Sequence, residues 1–229
     1  MKLSKLILTL MFAMLLTTSL TGRPIHGGFG GFSYTGMYSD YTNLNQYFTN
    51  AGLPAISNSL YFNEGGAGYG IINNIIIGGS SISSNTVSEN NNITAYINAE
   101  GSFFELGYMF DIIQYIDIFP IIGFGSMNYK IALRPELGDI TFDSLLLTPA
   151  RVSTLDKNSI AGHISGNIMF KLPFASEHAF VGLMLGGGYI IAPSFGNWKL
   201  DDGSIVRNGP EMPLGTPYGR VCIVFGGGN

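Results

Sequence analysis

The chain has 229 residues and a formal charge of −4, with 11% charged residues, 13% aromatics and 32 glycines. Soluble domains carry about 25% charged residues, so the composition argues against one, and an acidic chain offers no basic surface to nucleic acid. Cys222 is the only cysteine, which excludes an internal disulfide and a cysteine-built metal site.

Met1-Lys-Leu-Ser-Lys5 carries two positive charges, and Leu6 to Leu16 follow as an apolar stretch relieved only by Thr9. With small residues at Ser19 and Thr21, this reads as a secretory signal cut near Thr21 or Gly22, so residues 1–22 are a signal peptide and 23–229 one domain. A spanning helix needs about 20 apolar residues, more than this stretch supplies. No later segment does better. Ala179 to Pro193 is uncharged but interrupted by Gly186-Gly-Gly188, and each glycine costs a helix about 1 kcal/mol against Ala. Since a bilayer admits only helices and closed barrels, the positive mean hydropathy points to strands.

Period-two alternation predicts eight strands, at 27–36, 65–72, 75–81, 92–108, 119–133, 159–172, 178–191 and 217–227. After the first comes a long connection in which Leu44, Tyr47, Phe48 and Ala51 recur at helical spacing. Ser39 or Asp40 can cap the start of that helix, and Gly52 with Pro54 can end it. The helix is a candidate lid or partner-binding surface. The glycine runs at 27–31 and 65–70 are followed by no Gly-Lys-Ser/Thr, which argues against a phosphate loop. They fit the bends of a small barrel instead. In 92–108, Ile93, Ala95, Ile97 and Ala99 oppose Thr94, Tyr96, Asn98 and Glu100, and the pattern slips near Phe103-Phe104, which predicts a bulge. In 119–133, Phe119, Ile121, Met127, Tyr129, Ile131 and Leu133 form the apolar side and Ser126, Asn128 and Lys130 the polar one. The clearest strand, 159–172, sets Ile160, Ile164, Ile168, Phe170 and Leu172 toward lipid, and Ser159, His163, Ser165, Asn167 and Lys171 toward the lumen.

The connections alternate in length. Those from Met37 to Glu64, Arg134 to Lys157 and Ala192 to Thr216 are long, and those at Asn73-Asn74 and Phe174 to Glu177 are tight. Long outer loops and short periplasmic turns on an even strand count characterise outer-membrane barrels. Aromatics fall into two groups by depth. Phe103, Phe104, Tyr108, Phe110, Phe119, Phe170, Phe174 and Phe180 lie near the periplasmic ends, and Tyr61, Phe62, Tyr129, Tyr189 and Tyr218 near the outer ends. They are candidate interface girdles. The strands retain Glu100, Glu105, Lys130, Lys171 and Arg220. Eight strands enclose only enough space for side chains or one small ligand, so Glu100, Lys130, His163 and Arg220 are a candidate polar network plugging the lumen.

These features resemble the OmpA-like and OmpX-like superfamily of small outer-membrane barrels over residues 25–229. More narrowly, Asp40, Leu44-Asn45, Gly52-Leu-Pro54, Glu64-Gly-Gly-Ala-Gly-Tyr-Gly70 and Ile77-Gly-Gly79 resemble a Gly-rich group of bacterial outer-membrane proteins. The resemblance implies an all-β, eight-stranded, up-and-down transmembrane barrel in the outer membrane, contacting lipid and reaching surface partners through its outer loops. It implies no activity, cofactor or metal. His163-Ile-Ser165 is similar to the His-x-Ser motif of outer-membrane lipid A deacylases, with Glu177 as candidate orienter. The predicted phase turns both residues toward the lumen, and Glu177 falls at the far strand end. A soluble barrel holding a small apolar ligand is the other alternative; it requires the Ile and Phe face of 160–172 to point inward.

Overall fold

The structure, a computed structural model, describes residues 25–56, 60–90, 92–135, 152–176, 179–193 and 196–228. The predicted signal segment and Glu177 lie outside the described residues. In chain order the elements are β1 (Gly27–Tyr38), α1 (Thr42–Asn50), β2 (Leu60–Ile72), β3 (Ile75–Glu89), β4 (Ile93–Tyr108), β5 (Phe110–Ile113), β6 (Ile116–Pro135), β7 (Ser153–Ser176), β8 (Ala179–Ile191), β9 (Trp198–Leu200), β10 (Ile205–Val206) and β11 (Gly215–Gly228). Eight long antiparallel strands close in the order β1-β2-β3-β4-β6-β7-β8-β11 and back to β1. Short β5 folds onto the start of β6, and the β9–β10 hairpin hooks onto the far end of β7. No helix among the described residues is long and apolar enough to cross a membrane.

The closure is staggered. From Phe32 the paired row runs one way through Gly66, Ser81, Ser102 and Ser126 to Ile160. The other way it runs through Ile223 and Leu183 to Phe170. The two routes reach β7 at positions ten residues apart, the stagger a tilted small barrel requires. The tight turn at Asn73-Asn74 has φ of 50° and 68°, the two left-handed positions of a hairpin turn that Asn tolerates.

Seen along each strand, side chains alternate between a packed interior and the outside. Phe32, Ile77, Leu106, Ile122, Phe124, Ile164, Leu172, Val221 and Ile223 all project outward, with Phe32 79% and Phe124 66% exposed. An apolar band of this extent on a closed barrel is a lipid-facing surface, and the chain is a transmembrane barrel. The predicted phase of 159–172 agrees with β7. The phase predicted for 92–100 and 119–133 is inverted. Ala95, Ile97, Phe119, Ile121, Met127, Tyr129 and Ile131 are buried inside, while Glu100, Ser126 and Lys130 face out. For Ala95, Ile97, Met127, Tyr129 and Ile131 the physical reason is height, while Phe119 and Ile121, at the turn end, pack into the apolar cluster that fills the lumen there. Toward the helix-bearing end β4 and β6 rise beyond the apolar band, where the outside is wet and the inside packs against the loops, so apolar residues turn inward as in a soluble barrel. Toward the turn end of β4 and β6, Leu106, Ile118 and Ile122 face lipid. The bulge predicted at Phe103-Phe104 is absent, because β4 pairs without a register shift on both sides. Strand β3 continues to Glu89, past the end predicted at 81; its Ser- and Asn-rich half makes a full ladder with β4. Phe103, Phe119 and Tyr129 are core residues and belong to no girdle, whereas Phe62, Phe104 and Tyr189 do face outward.

Candidate functional site

The interior is layered. At the turn end, Phe29, Ile71, Ile76, Met109, Phe119 and Met184 form part of one buried apolar cluster. At the opposite end, Leu44 and Phe48 of α1 pack with Ile97, Tyr129, Ile131 and Trp198 in a second. Between the two lies a polar layer.

Glu105 of β4 is at its centre and has no exposed surface. It accepts hydrogen bonds from the hydroxyls of Tyr69 and Ser80, and His163 Nε2 lies 2.8 Å from its Oε1. Arg220 Nη2 donates to the Tyr69 hydroxyl at 3.2 Å and to Asn167 Oδ1 at 3.0 Å, and Arg220 Nε reaches the same oxygen at 3.3 Å. Asn167 in turn donates to Ser165 Oγ and to the Phe119 carbonyl. Tyr218 Oη lies 3.1 Å from His163 Nδ1, so both ring nitrogens of His163 have polar neighbours. One carboxylate and one guanidinium thus share a web of hydroxyl, amide and imidazole groups, the arrangement that makes buried charge tolerable. Glycine makes room for it. A Cβ on Gly123 would stand 2.1 Å from His163 Nε2, and one on Gly186 2.3 Å from Asn167 Oδ1.

Of the predicted polar residues, His163 and Arg220 meet here. Glu100 and Lys130 do not: both face outward, and Glu100 accepts from its neighbour Asn98. Their place is taken by Glu105, which the sequence places among the strand charges but not in the predicted network. Unbroken alternation from Ile97 through Gly101 and Phe103 carries Glu105 inward, and that signal was present in the sequence. Tyr69 had no comparable signal, since its strand is Gly-rich on both sides. His163 and Ser165 do not form a nucleophile–base pair. His163 Nδ1 turns to Tyr218, Ser165 receives Asn167, and both residues are enclosed by the barrel wall. No group of three metal-ligating side chains occurs among the described residues.

Of the predicted helix face, Leu44 and Phe48 are buried, while Tyr47 is exposed and Ala51 stands at the solvent edge. Loop contacts hold α1 down over the barrel mouth. Asn45 makes two hydrogen bonds of 2.7 Å with the backbone of Ile56, Asn43 accepts from Glu211 N, and Asn90 donates to the Gly52 carbonyl. Trp198 donates to the Pro210 carbonyl at 2.8 Å, and the Lys157 ammonium lies 5.6 Å from the centre of its ring. Asp40 Oδ1 accepts from Thr42 N at 2.9 Å, fixing the entry to the helix.

Eight antiparallel strands closed on themselves, an apolar outer belt and side chains through the interior define a small closed transmembrane β-barrel. Among solved structures the chain is similar to Ail, the attachment invasion locus protein of Yersinia pestis, in complex with the heparin analogue sucrose octasulfate. Identity is 12% over 90% of this chain and all of that one, with a TM-score of 0.43. It is also similar to Neisserial surface protein A, at 9% identity over 88% of this chain and 96% of that one, with a TM-score of 0.39. No family model and no curated protein matches the sequence.

Proposed function

We propose that the protein is a non-catalytic barrel of the bacterial outer membrane, secreted by its amino-terminal signal, with a lumen plugged by side chains. Its capped end faces outward as a structural or interaction surface. The observation that carries this reading is the layering of the lumen. Two apolar clusters bracket the polar layer, so an ion crossing the barrel would leave water twice, each time at a cost of several kcal/mol. The outer surface offered to a partner is held together by hydrogen bonds from Asn90 to Gly52, just after α1, and from Glu211 in the 196–214 loop to Asn43 of α1.

Hydrolysis of lipid is disfavoured by the inward direction of His163 and Ser165, which a bilayer substrate cannot reach from the lipid side. A soluble carrier of apolar ligands is disfavoured by the exposed apolar belt and by the filled interior. The test is to express the full chain in a Gram-negative host, isolate outer membranes and compare gel mobility before and after boiling. The purified barrel is then reconstituted in planar bilayers. A fast unboiled band with no channel current is the expected result. A soluble periplasmic protein, or a stable open-channel conductance, would sink the proposal.

A further inference from the structure

The lipid belt carries a hollow on β2 and β3. Gly68 and Gly79 are register partners on the outer face, and their row runs on into Phe104 and Phe124, which are exposed. Without side chains the two glycines leave backbone as the floor of a trough, walled on one side by the phenylalanines, with about 670 Å³ of free volume. One row nearer the helix-bearing end, Gly66, Ser81 and Ser102 line the trough. Ser81 and Ser102 also line a second hollow of about 320 Å³, which continues to Glu64, Ser83 and Glu100, the register partners of the next row. Tyr34, the register partner of Glu64 on β1, stacks on Phe62 with ring centroids 5.5 Å apart, and both rings are exposed. Exposed aromatic rings on a barrel mark the level of the lipid headgroups, so the carboxylates stand at the membrane interface.

Successive outward rows lie about 7 Å apart along a strand, and here their chemistry changes in a fixed order. It is apolar at Gly68, Gly79 and Phe104, hydroxyl at Ser81 and Ser102, and carboxylate at Glu64 and Glu100. We infer that the continuous groove is a binding site for a phospholipid with an ammonium headgroup, of the phosphatidylethanolamine kind, whose own groups follow the same order. Its acyl chains lie in the trough against Phe104, its ester and phosphate oxygens accept from the serine hydroxyls, and its ammonium donates to the carboxylates. Charge selects this headgroup. Among the described residues neither glutamate takes part in an ion pair. Glu100 accepts from the neutral amide of Asn98, and Lys130, higher on the wall, faces Asp156 across the register of β6 and β7. Two uncompensated carboxylates repel an anionic headgroup and attract a cationic one. The site stands whichever leaflet the capped end meets.

The test is native mass spectrometry of the refolded full chain in detergent with EDTA, offered equal amounts of phosphatidylethanolamine and phosphatidylglycerol. One phosphatidylethanolamine retained with roughly tenfold preference, what a hydrogen bond to a charged group supplies, is the expected result. Equal retention of the two lipids, or retention of neither, overturns the inference. Glu64→Gln combined with Glu100→Gln should abolish the preference. Both positions are exposed, so this variant reads the headgroup without disturbing the barrel. Gly68→Leu, whose side chain enters open space over the trough, should lose the retained lipid while the gel mobility shift on boiling persists. Lipid retained by Gly68→Leu as by the unaltered chain, or a preference that survives the glutamate changes, also overturns it.

Discussion

Arg220 and Glu105, opposite charges on β11 and β4, are joined through a neutral group: the Tyr69 hydroxyl donates to the carboxylate and accepts from the guanidinium at 3.2 Å. Tyr69→Phe leaves both charges in place and removes only the bridge, so it is expected to cost about 1–3 kcal/mol. Glu105→Leu strands Arg220 in the lumen and is expected to cost about 3–5 kcal/mol. Urea unfolding of the refolded barrel in detergent measures both. Because the residues share one network, the double variant should cost less than the sum; additive losses would mean that Tyr69 does not couple the charges.

Gly123 tests whether the space around His163 is committed. A glycine-to-alanine change that the backbone accepts is usually stabilising by about 0.4–1 kcal/mol. At Gly123 the new methyl would collide with the imidazole. Gly123→Ala should therefore lower the unfolding midpoint and shift the His163 ring resonances in NMR spectra. Gly68→Ala, where nothing lies within 4 Å of the added carbon, should do neither. Equal behaviour of the two variants would contradict the packing described.

The Asn73-Asn74 turn separates two effects that usually occur together. Both residues have positive φ, so glycine is conformationally welcome at either. Only Asn74 also uses its side chain, accepting from Ile25 N and donating to the Met109 carbonyl at 3.1 Å each. Asn73→Gly should be neutral or slightly stabilising. Asn74→Gly should lose about 1–2 kcal/mol, the worth of two ordinary hydrogen bonds, as read by denaturant titration.

The cap should respond to pH at both extremes. Burial raises the Tyr41 phenol above its ordinary 10.0. A group raised on folding contributes stability that is whole below the unfolded value and lost as pH climbs through the folded one, so α1 should loosen only above about pH 10. Hydrogen bonds from Ser204, its backbone N–H foremost, lower the Asp202 carboxyl below 3.8. That contribution is present above the unfolded value and lost as pH falls through the folded one, so the turn at 201–204 should loosen only below about pH 4. Hydrogen exchange at the Ser204 amide reports the acid side and exchange in 42–50 the alkaline side. Asp202→Asn should remove the acid response and leave the alkaline one. Protection that is flat across both ends would refute the assignment.

The fold was legible because its signals are local and repeated. Loop lengths alternate, the Asn pair marks a hairpin, and the Ile/Phe against Ser/His/Asn pattern of 159–172 states which face meets lipid. The site was legible only in part. His163 and Arg220 lie at heights where the wall faces lipid, so the rule of polar side inward holds for them. Glu100 and Lys130 lie on strand halves where the surroundings are reversed, and no pattern within a strand states its height relative to the bilayer. Height comes from stagger, which is a property of the closed sheet. Glu105 shares the inner face with Ile97, Gly101 and Phe103, so the inverted phase assigned to the first half of β4, carried on without a break, turns it outward. Of the predicted helix face, Leu44 and Phe48 turn inward while Tyr47 and Ala51 do not, since helical spacing marks a stripe but not how much of it the barrel mouth covers.

The filled interior also bears on copy number. In a barrel with an aqueous lumen, every added copy enlarges the leak of the membrane that carries it, and expression is limited by the gradients the cell must keep. With the lumen plugged as proposed, display density and permeability are uncoupled. A membrane could be crowded with this protein, gaining capped outer surface with each copy while its barrier stays as tight as the lipid between them.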